Sequence, residues 1–376
     1  MPFPSEYNCN EVSDLISISL CMIVKNEEDT IGRCLESVQN IVEEIIIVDT
    51  GSSDNTKEIA LQYTSQIYGF EWIDDFAAAR NYAFSCANKD YIFWLDADDE
   101  LKDEDRKKLM DLKEMLDPSI DSVTMEYHLA FDEFGNVTSS VRRNRLVLRE
   151  NKFQWIGAVH EYLEVWGNIL NSDVAITHSS LHHDSDRNLN IYEKRLLRGE
   201  VFTPRDLYYF ANELVDHKMY DRAICYYEQF LASEKGWIED IISSCGKLAD
   251  CYHELGNREK ELESSLRSFR YSSPRPEFCC RIGYHFLSQD EIRTAIFWYK
   301  LATQYKLPGD NLGFFNHTCS SWLPHLQLCV CYDRIGEYRL AYNHNEIARS
   351  YRPTDPRVIQ NKRYLETILG DSDSHE

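Results

Sequence analysis

The sequence has no apolar run of the roughly 18 residues that a membrane-spanning helix needs. Its opening, MPFPSEYNCNEVSDL, lacks a basic segment followed by an apolar one, so no secretory signal is expected. No G-x-G-x-x-G and no P-loop follows any apolar run, which removes the usual glycine-rich phosphate cradles. Twelve cysteines are present, yet none form a Cys-x-x-Cys pair of zinc spacing. Cys21, Cys34 and Cys86 fall inside apolar periodic segments, where a free thiol acts as a small hydrophobe. Positive charge is scarce: 40 basic against 63 acidic residues leave a net charge of −23. That argues against nucleic acid and against anionic membrane surfaces as partners. Together these absences lead us to expect a soluble, cytoplasmic chain with reduced core thiols.

What is present suits a sizeable core. The 376 residues are 43% hydrophobic and 12% aromatic, enough for two domains. Strand and helix periods alternate over the first hundred residues. Ile16 to Val24 reads as a strand, and Ile31, Cys34, Leu35 and Val38 share one helical face. Ile45 to Val48 is uniformly apolar, as expected of a strand covered on both sides. Asn55 to Tyr63 reads as helix, Gln66 to Trp72 as strand, Phe76 to Ala87 as helix and Tyr91 to Leu95 as strand. This order predicts a mainly parallel sheet flanked by helices, with ligands beyond the carboxyl ends of the strands. SVTMEYHLAF, RNRLVLRE, VHEYLEVWG and SDVAITHSS alternate and extend that sheet, partly antiparallel.

From about residue 204 the pattern turns helical and repetitive. Four segments each carry two short helices around a polar turn. Small residues recur at Ala211, Ala249, Gly283 and Cys329 in the first helices, and at Ala223, Ala295 and Ala341 in the second. Leu214, Tyr252, Phe286 and Tyr332 follow three residues after each first-helix position. This matches a tetratricopeptide-like period of roughly 34 residues, except that Glu261 stands where the second unit needs a small residue. The expected organisation is an α/β mixed-sheet domain over 1–185, a helical connector over 186–203, an all-α repeat domain over 204–368 and a flexible acidic tail over 369–376.

Two strands end on acids. IIIVD ends on Asp49, and YIFWLDADDE on Asp96, Asp98 and Asp99. Clustered carboxylates repel one another and raise each other's pKa unless a cation is present. Ala97 keeps the bend narrow and aims Asp96 and Asp98 to one side. Oxygen ligands of this kind suit Mg²⁺ or Mn²⁺. DADDELKDEDRK fails as a calcium loop, with Leu101 in place of the turn glycine and Lys107 in place of the bidentate glutamate. GSSDN is not a serine-hydrolase elbow. A haloacid-dehalogenase-like phosphohydrolase would carry its Asp-x-Asp on the first strand, not the fourth.

In this order ISLCMIVKNEEDTIGRCLESV, IIIVDTGSSDNT, FEWIDDFAAARNYAF and YIFWLDADDE resemble glycosyltransferase family 2, over about residues 16 to 180. The resemblance implies a GT-A, Rossmann-like fold, a nucleotide-sugar donor, a metal-binding Asp-x-Asp motif and inversion at the anomeric carbon. FQWIGAVHEYLE, VAITHSS and the repeat tail are similar to bacterial members that include the peptide S-glycosyltransferases of glycocin biosynthesis. The family's frequent His-x-Gly after the last strand reads His-Ser-Ser here. By this resemblance Val24, Asn26 and Glu27 line the nucleotide pocket, and Asp49 accepts a hydrogen bond from the base. Arg80 faces the nucleotide or diphosphate and Asp75 the nucleotide or sugar. Asp96 meets the ribose or the metal, Asp98 the metal, and His178 is the third metal ligand.

An inverting displacement also needs a base on the acceptor side. Gly157 and Ala158 make room beside a strand, and His160-Glu161 offers two proton acceptors. Adjacent residues of a strand face opposite ways, so one of the two points into the site unless the segment turns. Glu161 is the expected base and His160 the alternative, and Trp155 is either a core residue or a wall of the acceptor or sugar site. The expected reaction moves a hexose from a UDP-sugar to a cysteine or serine of a peptide or protein held by the repeats. A saccharide or lipid-linked acceptor and a non-catalytic repeat scaffold are the competing readings. Repeat surfaces often self-associate, which makes a homodimer compatible with the sequence.

Overall fold

The computed structural model describes residues 15–179, 185–305 and 315–372. Residues 1–14, on which the expectation about a signal rests, lie outside that set. The N-terminal half is built on one twisted sheet. β1 (Ile18–Val24), β2 (Glu44–Asp49), β3 (Ile67–Gly69) and β4 (Tyr91–Trp94) run parallel in the order β3-β2-β1-β4. Side chains alternate as the period of two requires. Leu20, Met22, Ile47 and Phe93 pack on one face with Leu35 and Val38 of α1 (Ile31–Val38) and Leu109 of α4 (Asp103–Met115). Cys21, Ile46, Val48, Ile92 and Trp94 pack on the other, against Ala77, Ala83 and Phe84 of α3 (Phe76–Ser85). Between them α2 (Thr56–Ala60) follows β2.

The sheet then continues as β4-β7-β6-β10-β5. β5 (Asp99–Glu100) is a two-residue edge, β6 (Ser122–Phe131) and β7 (Val137–Leu148) form a long hairpin, and β10 (Ile169–His178) lies parallel to β6. β8 (Gln154–Ile156) and β9 (Tyr162–Glu164) make a separate ribbon. VHEYLEVWG was expected to be strand throughout; only Tyr162–Glu164 is. Gly157 and His160 take φ of 105° and 50°, left-handed values that break the ladder and make a turn.

The second half is a helical array. α5 (Ser185–Leu197) leads into the pairs α6 (Pro204–Asp216) with α7 (Tyr220–Ala232), α8 (Ile238–Glu254) with α9 (Arg258–Arg267) and α10 (Pro276–Ser288) with α11 (Ile292–Gln304). After β11 (Phe315–Asn316) and α12 (His317–Ser320) come α13 (Trp322–Arg334), α14 (Tyr338–Tyr351) and the closing α15 (Pro356–Ser372). The small residues sit where helices approach: Ala211, Ala249, Ala223, Ala295 and Ala341 are fully buried. A Cβ on Gly283 would lie 3.0 Å from the Tyr299 ring. Glu261, the exception, is buried and held by Arg258 Nη1 at 2.9 Å and His253 Nδ1 at 3.1 Å. The stretch expected as a tail is helical as far as Ser372, and 373–376 lie outside the described residues.

The array touches the sheet domain at both ends. At its start α6 grips the turn after β8. At its far end β11 pairs antiparallel with Ser139 and Ser140 of β7. Arg352 reaches Glu133 at the hairpin tip and lies 4.4 Å over the Phe134 ring.

Candidate active site at the carboxyl ends of the parallel strands

The loops after β1 and β2 are laced together. Asn26, left-handed at φ 55°, donates its N–H to Ser52 Oγ at 3.0 Å and accepts the Ser53 N–H at 2.8 Å. Glu27 N–H donates to Thr56 Oγ1 at 2.7 Å and Glu28 N–H to Asp54 Oδ2 at 3.1 Å. Asp49 is buried and accepts the N–H groups of Gly51 at 3.2 Å and Ser52 at 3.0 Å, so it shapes its own turn. The Val24 side chain lies in the core and its carbonyl takes the Thr50 N–H at 2.9 Å; Val24 supports the loop from beneath. Glu27 is pushed up by burial and by Asp98 and Asp96.

The turn after β4 divides its acids. Ala97 is buried, and Asp96 and Asp98 flank it in partly open positions. Asp99 is fully buried: its Oδ2 takes the Asp96 N–H at 3.0 Å and pairs with Arg145 Nη1 at 3.0 Å, both side chains at 0% exposure. Arg145 lies between the Trp94 and Tyr127 rings, 3.9 Å and 4.4 Å from their centroids. β5 pairs with β10 in a register that sets His178 opposite Asp99. His178 Nδ1 consequently lies 3.6 Å from Asp98 Oδ1 and 3.7 Å from Asp99 Oδ1, with the Tyr127 hydroxyl at 2.8 Å.

Asp98, Asp99 and His178 thus offer three ligand atoms within 4.8 Å of one another. Asp99 Oδ1 is a buried acceptor without a hydrogen-bond partner. Leaving such an oxygen unmatched is expensive, and a dication among these groups would satisfy it. Two carboxylates and an imidazole suit Mn²⁺ or Mg²⁺. The charges agree: Asp98 is pushed up by burial and by Asp96 and Asp99, while Asp99, Asp98 and Asp96 raise His178 against the effect of burial. Asp99 was not among the ligands expected from the sequence. Its adjacency to Asp98 was the available signal.

Asp96 goes elsewhere. Arg80, buried on α3, donates from Nη2 to Asp96 Oδ1 at 2.6 Å and from Nε to Glu161 Oε1 at 2.5 Å. Burial pushes Asp96 up, but Arg80 and Arg145 overcome it and hold the carboxyl at about 2. Asp96 was expected at the ribose or the metal; its cationic neighbour here is Arg80, while Asp98, Asp99 and His178 form the cluster. Arg80 itself joins the strand-end turn to the turn after β8. Asp75 caps α3, accepting the Ala78 N–H at 2.9 Å.

Of the two readings of Trp155, the core one holds. The residue is 5% exposed and packs edge-on against Trp94 at 4.7 Å, with the Arg80 guanidinium 4.8 Å over its ring. Asn81 exchanges two hydrogen bonds with its backbone at 3.0 Å and 2.8 Å. Trp155 is therefore a core platform for Arg80, not an acceptor wall. His160 and Glu161 part at the turn: Glu161 faces Arg80, and His160 lies against α6. Both line a cavity of about 730 Å³ between sheet and array. Arg143 borders it on the sheet side, with Tyr209, Asp240 and Glu277 on the helical side.

A mixed sheet with acids at the carboxyl ends of its parallel strands, followed by stacked helix pairs, is a GT-A-type domain joined to a tetratricopeptide-like array. Residues 19–163 match the family model for glycosyl transferase family 2. The SPbeta prophage-derived glycosyltransferase SunS of Bacillus subtilis is 30% identical over 223 residues, 54% of this chain and 50% of that protein. A TPR repeat-containing protein of Synechococcus elongatus is 47% identical over 87 residues, 23% of this chain and 22% of that protein. An uncharacterized glycosyltransferase of Rickettsia felis is 39% identical over 87 residues, 23% of this chain and 30% of its own. The chain therefore spans half or less of the length of these relatives. Among solved structures, the apo form of RapI overlays at a TM-score of 0.40 and 15% identity, covering 50% of this chain and 57% of that one. That likeness is too slight to carry an argument.

Proposed function

We propose that this protein transfers a hexose from a UDP-sugar to a thiol or hydroxyl of a peptide or protein, with inversion and with a divalent cation. The observation that carries the reading is the Asp98–Asp99–His178 cluster, with a buried Asp99 oxygen that accepts no hydrogen bond, at the carboxyl ends of the parallel strands. Bound by these residues, Mn²⁺ or Mg²⁺ would supply positive charge for the departing diphosphate. Asp49 has lone pairs left beyond its loop contacts to accept a uracil N–H. Arg80 fixes Asp96 beside the ribose and, through Glu161, ties the donor side to the acceptor side. The turn carrying His160 and Glu161 supplies the base. The cavity between sheet and array, of a volume that suits a small ligand or a short peptide stretch, receives the acceptor.

The test is mass spectrometry. Synthetic peptides bearing one cysteine or one serine are incubated with the protein, Mn²⁺ and each of several UDP-hexoses. Gain of one hexose mass supports the reading. If nucleotide sugar is consumed and sugars gain mass while peptides never do, the acceptor assignment is wrong.

A further inference from the structure

Three residues of one helix converge on a single residue of the other domain. Arg205, Tyr209 and Glu213 lie at i, i+4 and i+8 on α6 and so form one stripe. Arg205 donates from Nε and Nη2 to the His160 carbonyl at 3.0 Å and 2.8 Å. Tyr209 stacks on the His160 ring at 4.4 Å and 16°. Glu213 Oε1 meets His160 Nε2 at 2.5 Å and also accepts the Asn188 amide at 3.1 Å. His160 pays for this position with a φ of 50°.

We infer that His160 is the general base of the transfer and that Glu213, supplied by the helical array, is its positioning residue. The inference rests on the glycosyl-transfer reading above. A carboxylate on one ring nitrogen fixes the tautomer and the orientation and leaves the other nitrogen to accept a proton. With Nε2–H given to Glu213, Nδ1 is that acceptor. It has no protein partner among the described residues, and the ring, 31% exposed, stands on the cavity wall. Glu161 is placed differently. It is 10% exposed and bound to Arg80, which also holds Asp96, so it belongs to the frame of the donor side. The charged groups around His160 are Glu213 and Arg205 of α6, the neighbouring Glu161, and Arg143 of β7 on the same cavity. A contact that merely joined two domains would be complete with the carbonyl clamp and the ring stack.

The step balances. Nδ1 takes the proton of the acceptor S–H or O–H as that atom bonds to the anomeric carbon. The bond from that carbon to the diphosphate oxygen breaks, and its electron pair leaves with UDP. The imidazolium then returns its proton to water.

The experiment measures UDP release with Mn²⁺ from whichever UDP-hexose the wild type turns over fastest. His160→Gly suits the left-handed backbone, so the fold should persist. It is expected to lose about 100-fold in kcat with donor KM within about twofold, and added imidazole should restore part of the rate. Glu213→Gln keeps a hydrogen bond without the charge and should lower kcat about tenfold at unchanged KM. Glu161→Gln should raise donor KM and gain nothing from imidazole. His160→Gly at wild-type kcat, or unrescued by imidazole, overturns the inference. A wild type that releases UDP from no UDP-hexose instead sinks the glycosyl-transfer reading, and this inference falls with it.

Discussion

Asp98 and Asp99 are neighbours with opposite effects on stability. Asp98 is pushed up by burial and by the surrounding acids, so without metal its charge is repelled by its neighbours. Asp98→Asn removes that repulsion. It should leave urea stability unchanged or slightly higher while abolishing Mn²⁺ binding, read by calorimetric titration. Asp99 is the sole carboxylate on the fully buried Arg145 among the described ion pairs. Asp99→Asn leaves that guanidinium without its counter-charge and should cost about 3–5 kcal/mol in urea unfolding. The sequence made Asp96-Ala97-Asp98-Asp99 conspicuous, because three acids after an apolar strand have few structural uses. Arg145 gave no such signal. In RNRLVLRE it reads as a polar residue of an alternating strand, and only the antiparallel pairing of β7 with β4 buries it between Trp94 and Tyr127. Glu213 was hidden for the same reason: a stripe at i, i+4 and i+8 acquires meaning only once the residue opposite it is known.

The helix pairs turn by one repeated device. Lys218, Gly256, Asp290 and Gly336 all take left-handed φ, between 58° and 79°, in the same place of each inter-helix turn. The next N–H reaches back to the carbonyl of Leu214, Tyr252, Phe286 or Tyr332, at 2.8 to 3.0 Å. Those are the four large residues that recur in the sequence, so the repeat was legible from small and large positions alone. A side chain disfavours this backbone by about 1–2 kcal/mol. Gly256→Ala should therefore lower stability by about 1 kcal/mol, and Lys218→Gly should raise it by a similar amount, both measured by thermal unfolding. The last pair carries a second testable feature. His325 and His344 meet Nδ1 to Nδ1 at 2.9 Å, and burial, His325 and Lys300 lower His344 to about 4. Its folded value lies below its unfolded one, so the unfolded chain binds the proton first. The contribution of this ring to stability is full above about pH 6.5 and is lost as pH drops towards 4. His344→Gln should flatten that slope, as seen in urea midpoints across the range.

At the scale of the molecule, the array is fastened to the sheet domain at both ends. His160 meets α6 at one end, and β11 and Arg352 meet the β6–β7 hairpin at the other. The two halves should therefore unfold in one calorimetric transition, and Arg352→Ala should begin to separate them. The order of elements and the two-part architecture were legible because hydrophobic period is local. The cavity between the halves was not, since its walls come from residues as far apart in the chain as Thr138 and Leu323. Among the described residues no helix is long and apolar enough to cross a membrane. On the proposed function the strand-end acids form a metal-dependent nucleotide-sugar site. The most direct test is UDP release from a panel of UDP-hexoses, by wild type and Asp98→Ala, with Mn²⁺ and then with EDTA. Release by the wild type with Mn²⁺, none with EDTA, and a loss of at least about 100-fold in Asp98→Ala are expected. Equal release in all four conditions would contradict that function.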